Sequence, residues 1–106
     1  MYSIGQVSEK FNLPVSTLRY YDKEGLLPNI ERSSGIRKFS DRDLETLNVI
    51  ECLKKSGLEI KDIRQFIQWC AEGDGTYSKR LELFIKQKEN VEKEMKRLEK
   101  TRAMLQ

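Results

Sequence analysis

The residues best suited to bind a partner lie at positions 16 to 23. In the run Pro14-Val15-Ser16-Thr17-Leu18-Arg19-Tyr20-Tyr21-Asp22-Lys23, the side chains of Ser16, Arg19, Tyr20 and Lys23 recur at spacings of three and four. On a helix that spacing gathers them on one face and turns Val15, Leu18 and Tyr21/Asp22 the other way. The outward face holds two cations, a phenol and a hydroxyl, and no carboxylate. Each group donates hydrogen bonds, and the cations displace counterions, so the face suits phosphate oxygens and base edges. An ordinary solvated helix shows the same pattern, so the flanking segments have to decide. Pro14 fits the first helical position, where its missing N–H would be unsatisfied anyway.

Upstream, Ser3 is placed to cap a helix with Ile4, Val7 and Phe11 on one face. Asn12-Leu13-Pro14 then makes a three-residue turn, and Asn tolerates the left-handed backbone that such turns use. Helix, tight turn and helix with a polar outer face is the helix-turn-helix arrangement. Downstream, Gly25 closes the second helix and Leu26-Leu27-Pro28 leads away from it. The stretch Ile30–Phe39 has Ser33-Ser34-Gly35 at its middle, which predicts a small hairpin. Arg32, Arg37 and Lys38 sit on its arms. A two-stranded hairpin is marginal alone and must lean on the helices, so it is expected to be a basic wing.

Ser40 is the cap expected for a third helix, with Asp43 at the third position. Leu44, Leu47, Ile50 and Leu53 mark its buried stripe. A fourth helix from about Glu59 to Glu72 carries Ile60, Ile63, Ile67 and Cys70 on its apolar side, so Cys70 is expected in the core. Gly73-Asp74-Gly75-Thr76 breaks the chain and supplies a capping residue at its end. From Tyr77 to Gln106 no Gly or Pro occurs, and Leu81, Phe84, Lys88, Val91, Met95, Leu98, Arg102 and Leu105 alternate at spacings of three and four. That is a heptad seam on one long helix. So narrow a stripe cannot bury itself on a body of some 70 residues, so a partner helix is expected. Leu81, Phe84, Val91, Met95, Leu98 and Leu105 are its candidate dimerisation residues. The expected organisation is a head over 1–72, a linker over 73–76 and a coiled-coil helix over 77–106.

The net charge is only +3, from 20 basic and 17 acidic side chains, and residues 10–42 alone hold seven cations against four acids. The basic excess therefore surrounds the opening helices rather than coating the chain. No apolar run approaches the roughly 20 residues that span a bilayer, and no signal-peptide pattern opens the chain. Cys52 and Cys70 lack CxxC spacing and the chain has no histidine, so neither a metal nor a cofactor is expected. A reduced, cytoplasmic protein is the expectation. Without a histidine, a glycine-rich phosphate loop or paired carboxylates, an enzyme is the class with least support.

The ordered run Tyr2-Ser3-Ile4-Gly5-Gln6-Val7, Thr17-Leu18-Arg19-Tyr20-Tyr21-Asp22, Gly25-Leu26-Leu27-Pro28, Gly35-Ile36-Arg37-Lys38-Phe39-Ser40, Asp43-Leu44 and Gly57-Leu58 to Asp62-Ile63 resembles the MerR family of bacterial transcription regulators. It covers about the first two-thirds of the chain. The resemblance implies a mainly α fold: a winged helix-turn-helix head with a two-stranded wing, a helix pair, and a long antiparallel dimerisation helix. It implies a homodimer on palindromic double-stranded promoter DNA that distorts an overlong spacer for RNA polymerase. Ser16, Thr17, Arg19, Tyr20, Lys23, Arg32, Arg37 and Lys38 are then the candidate DNA contacts. Two features depart from the family pattern: Gly-Ile-Arg-Lys-Phe in the wing, where Gly-Tyr-Arg is usual, and Glu59, where a Ser-type cap is usual. Gly-Ile-Arg, Cys52 and Gly-Asp-Gly-Thr look closer to a branch that responds to aldehydes and nitrosative stress, with Cys52 the candidate sensor thiol. Metal-sensing members carry cysteines around the long helix, and none occurs from Thr76 to Gln106. The rival expectation is a coiled-coil interaction module without DNA binding.

Overall fold

A computed structural model describes residues 1–106, as five α-helices and one two-stranded sheet. By contacts the chain divides into two compact units, Met1–Cys52 and Leu53–Gln106. No helix is long and apolar enough to cross a membrane.

In the first unit, α1 (Ile4–Phe11) starts from a reciprocal cap: Gln6 N–H donates to Ser3 Oγ at 3.2 Å, and Ser3 N–H donates to Gln6 Oε1 at 2.8 Å. Asn12 ends α1 in the left-handed region, with φ 54° and ψ 45°. The helix α2 (Val15–Lys23) begins one residue later than the proline expectation, with Pro14 as its cap. Pro14 is extended, and its carbonyl accepts from the N–H groups of Thr17 and Leu18 at 3.0 and 3.3 Å. At the other end Gly25 takes φ +79°, and Leu26 N–H closes back on Tyr21 O at 2.9 Å. That reversal delivers Leu26 and Leu27 into the core, where they join Val7, Leu18, Tyr21, Phe39 and the α3 stripe Leu44, Leu47 and Ile50.

The wing pairs β1 (Glu31–Ser33) antiparallel with β2 (Ile36–Lys38). Its turn is narrower than the three residues expected. Only Ser34 and Gly35 lie between the strands, at φ 52° and 78°, the two positive values that a two-residue hairpin needs. A feature invisible to local pattern backs the wing: Tyr2 exchanges both backbone hydrogen bonds with Phe39, at 2.7 and 2.8 Å. The N-terminus thus adds a short third rung to a hairpin that would be marginal alone.

α3 (Asp41–Lys55) opens on a second reciprocal cap. Asp43 N–H donates to Ser40 Oγ at 3.2 Å, and Ser40 N–H to Asp43 Oδ2 at 2.8 Å. In the second unit, α4 (Ile60–Glu72) starts at Glu59 with no side-chain cap, in keeping with the missing Ser-type residue. Its buried residues are Ile63, Phe66 and Ile67. Cys70, expected in the core, is exposed. It continues the line of the apolar stripe but sits in the last turn, past the residues that α4 buries. The break at 74–76 is one 3-10 turn, and Thr76 does not cap the next helix with its side chain. Its hydroxyl instead points back to Trp69 O and Gly73 O at 2.6 and 2.8 Å and accepts from Arg80 Nε at 3.1 Å, which pins the corner. α5 (Tyr77–Met104) then runs for 28 residues, about 42 Å at about 1.5 Å per residue.

Candidate nucleic-acid interface

Leu18 and Tyr21 anchor α2, both essentially without exposed surface. The Tyr21 hydroxyl donates to Glu51 Oε2 on α3 at 2.7 Å. Burial, followed by that carboxylate, raises the phenol's pKa, so it stays a neutral donor at any physiological pH. With the inner face locked, Ser16, Arg19, Tyr20 and Lys23 stand exposed together, and Thr17 is half-buried between them. Tyr20 keeps 45% of its surface in solvent. The turn ahead of α2 is stiffened by the Ser8 hydroxyl, which donates to Leu13 O.

The wing is tied to this helix through one carboxylate. Strand register sets Arg32 directly opposite Arg37, an unfavourable like-charge pair unless something neutralises it. Asp22 does so: Arg32 Nη2 and Arg37 Nε both donate to its Oδ2 at 2.8 Å. Burial alone would raise the Asp22 pKa, but the Arg37 and Arg32 guanidiniums outweigh it and hold the carboxyl below its ordinary value. Wheel reading put Asp22 on the inward side of α2 without a partner. The structure makes it the clasp between recognition helix and wing. The two arginines differ in what they keep free, since the Arg32 side chain is 53% exposed and that of Arg37 only 22%. Lys38 is half-buried. At the base of the wing, the Tyr2 hydroxyl donates to Asp41 Oδ1 at 3.1 Å and Lys10 lies 5.7 Å over the Tyr2 ring. The bond to Asp41 raises the Tyr2 pKa.

On α5, Leu81, Phe84, Val91, Met95, Leu98 and Leu105 all remain exposed in the single chain, from 39% for Val91 to 82% for Leu105. Phe84 also meets Phe66 of α4 edge-on, with centroids 5.2 Å apart. Sequence reasoning missed Gln87. It is buried and donates through Nε2 to Ser56 O and Oγ at 3.2 and 2.9 Å. A lone polar residue beside a heptad seam carries no signal of that role. Cys52 and Cys70 are both free and exposed, so Cys70 is not the buried reference that its spacing implied. No group of His, Cys, Asp and Glu is arranged to hold a metal ion.

The molecule is thus a winged helix-turn-helix head followed by a helix pair and a long helix with an apolar stripe in solvent. A family model described as the MerR HTH family regulatory protein matches residues 2–69. An uncharacterised HTH-type transcriptional regulator of Haemophilus influenzae is 45% identical over 91 residues, covering 85% of this chain and 67% of the relative. The HTH-type transcriptional regulator AdhR of Bacillus subtilis is 32% identical over 90 residues, covering 84% and 64%. The chain therefore spans about two-thirds of the length of these curated relatives. Among solved structures, HiNmlR, a MerR family regulator lacking the sensor domain and bound to promoter DNA, aligns with a TM-score of 0.92 and 41% identity, over 98% of this chain and 83% of its own. A MerR family regulator from Bacillus thuringiensis aligns with a TM-score of 0.89 and 42% identity, over 98% and 92%. The chain belongs to the MerR family of helix-turn-helix regulatory proteins.

Proposed function

We propose that the protein is a homodimeric, sequence-specific transcription regulator that binds a palindromic promoter element in double-stranded DNA. The observation that carries this reading is the exposed, carboxylate-free face of α2 beside a wing held by Asp22. Ser16, Thr17, Arg19, Tyr20 and Lys23 enter the major groove, where base edges and phosphates accept their hydrogen bonds. Arg32 and Lys38 reach the flanking phosphates, and the better-buried Arg37 chiefly keeps the wing in place. Residues 1–72 serve as the reading head, 73–76 as a linker and 77–106 as the dimerisation arm. A two-fold dimer fixes the half-site spacing, and the distorted spacer lets RNA polymerase use both promoter elements. Cys52, exposed on α3, is the residue through which an electrophile or oxidant acts. The protein works in the cytoplasm and catalyses no reaction of its own.

Selection of bound sequences from a random duplex pool, followed by titration across a salt series, tests this reading. A palindromic consensus and affinity that falls steeply with salt are expected. A chain that enriches no sequence and binds no duplex at low salt would leave the protein-interaction module in its place.

A further inference from the structure

Away from the reading head and the heptad stripe, the second unit holds a groove of about 360 Å³ between α4 and the first half of α5. Its floor is apolar. Leu58 just ahead of α4, Leu83 of α5 and the ring of Trp69, the single tryptophan of the chain, lie half-buried along it. Asp62 lines the same groove and is half-buried too. Its carboxylate has no ion pair or hydrogen bond within the chain, and its neighbour Lys61 turns to Glu59 at 3.8 Å. A carboxylate drawn out of water beside leucines costs free energy until a donor reaches it. Gln87 is no such donor, because its Nε2 is spent on Ser56 O and Oγ while its Oε1 accepts from Asn90 Nδ2 at 3.3 Å.

We propose that this groove binds a small primary amine with an aromatic body, its ammonium on Asp62 and its ring against Trp69. The two residues are two turns apart on α4, about 10 Å along the axis at about 1.5 Å per residue, which suits an arylethylamine. Leu58 and Leu83 cover the methylenes between the two ends. The indole face already takes an alkylammonium from the chain itself, since Lys79 Nζ stands 5.9 Å over the ring. Lys79 is exposed, so it gives way to a ligand ring at little cost.

The sign of the ligand charge follows from where the lining charges sit. Lys79 and Lys86 are exposed at the rim, one turn to either side of the exposed Glu82, so water and that carboxylate screen them. The charge inside the groove is that of Asp62, and it calls for a cation. On the helical wheel Lys79, Glu82 and Lys86 fall opposite Leu81, Phe84, Lys88 and Val91. The dimer proposed above therefore leaves the groove open, and neither reading depends on the other.

Trp69 fluorescence of the full chain without DNA reads occupancy, because no other tryptophan contributes. Phenethylamine should change it saturably. Phenylpropionate, which carries a carboxylate on the same phenylethyl body, should bind at least about tenfold more weakly, and so should ethylamine, which lacks the ring. Asp62→Asn keeps the shape and should weaken phenethylamine about tenfold or more without loss of helical circular dichroism. No saturable change with phenethylamine overturns the site. Phenylpropionate binding as tightly would make Lys79 and Lys86 the readers, and ethylamine binding as tightly would remove Trp69 from recognition; either overturns the proposal. A folded Asp62→Asn that binds phenethylamine as the parent does overturns it too. The ligand comparison needs no variant, so it decides the matter even where Asp62→Asn fails to fold.

Discussion

Arg32 and Arg37 confront each other across the hairpin, and Asp22 turns that repulsion into a clasp. Asp22→Asn keeps the shape but loses the charge. It should loosen the wing by roughly 1 kcal/mol, a figure discounted because Arg32 is half in solvent. Faster amide exchange in residues 31–38, with α1 unchanged, is the expected reading. Folding lowers the Asp22 pKa, so its contribution is complete above the unfolded value of about 3.9 and fades as pH falls through the lower folded value. Wing protection should therefore drop below about pH 4 in the parent and stay flat in Asp22→Asn. Arg19→Ala and Tyr20→Phe touch only exposed groups and should leave Tm unchanged while weakening DNA binding. Losing a phosphate contact at Arg19 should flatten the salt slope by about one unit. If both variants bind as the parent does, α2 is not the reading head. At Cys52, substitution by Ser should abolish the cellular response to an aldehyde or nitrosothiol. Because Cys70 is exposed too, Cys70→Ser is the informative comparison: a response lost in both variants would assign no special role to Cys52.

Among the elements, the helix starts are capped in different degrees. α1 and α3 open on reciprocal caps, whereas α4 opens on Glu59 with none. Ser40→Ala strips one half of the α3 cap and leaves the nearly buried Asp43 carboxylate with the Ser40 N–H alone. The expected cost is about 1 kcal/mol, read as a Tm decrease of roughly 4–8 °C. Glu59→Ser should act oppositely and raise Tm, because it supplies the missing side-chain acceptor to the first turn of α4. A Tm unmoved by either change would show that packing of the apolar faces, not capping, sets the stability of these helices.

For the molecule as a whole, the proposed dimer rests on the apolar stripe that α5 leaves in solvent. Met95→Glu with Leu98→Glu places carboxylates in the middle of that stripe, where burial against a partner is costly. The double variant should sediment and scatter as a monomer. It should also lose high-affinity operator binding, since one head contributes only half of the phosphate contacts. Retained dimer in the double variant would move the interface off α5.

What the sequence by itself determined is what neighbours within a few residues decide. Ser3 as a helix cap, Asn12 at a helix end, Ser40 with Asp43, the stripe Leu44-Leu47-Ile50 and the heptads of α5 each follow from contacts one turn apart or less, so spacing and residue type suffice. Tertiary structure decided the rest. Asp22 serves arginines 10 and 15 positions away, Tyr21 reaches Glu51 across 30, Gln87 reaches Ser56 across 31 and Tyr2 reaches Asp41 across 39. None of these partners is implied by periodicity, which says which way a side chain points but not what stands opposite. Cys70 shows the same limit from the other side: its spacing aims it along the apolar stripe of α4, and only the fold reveals that the end of that stripe is uncovered.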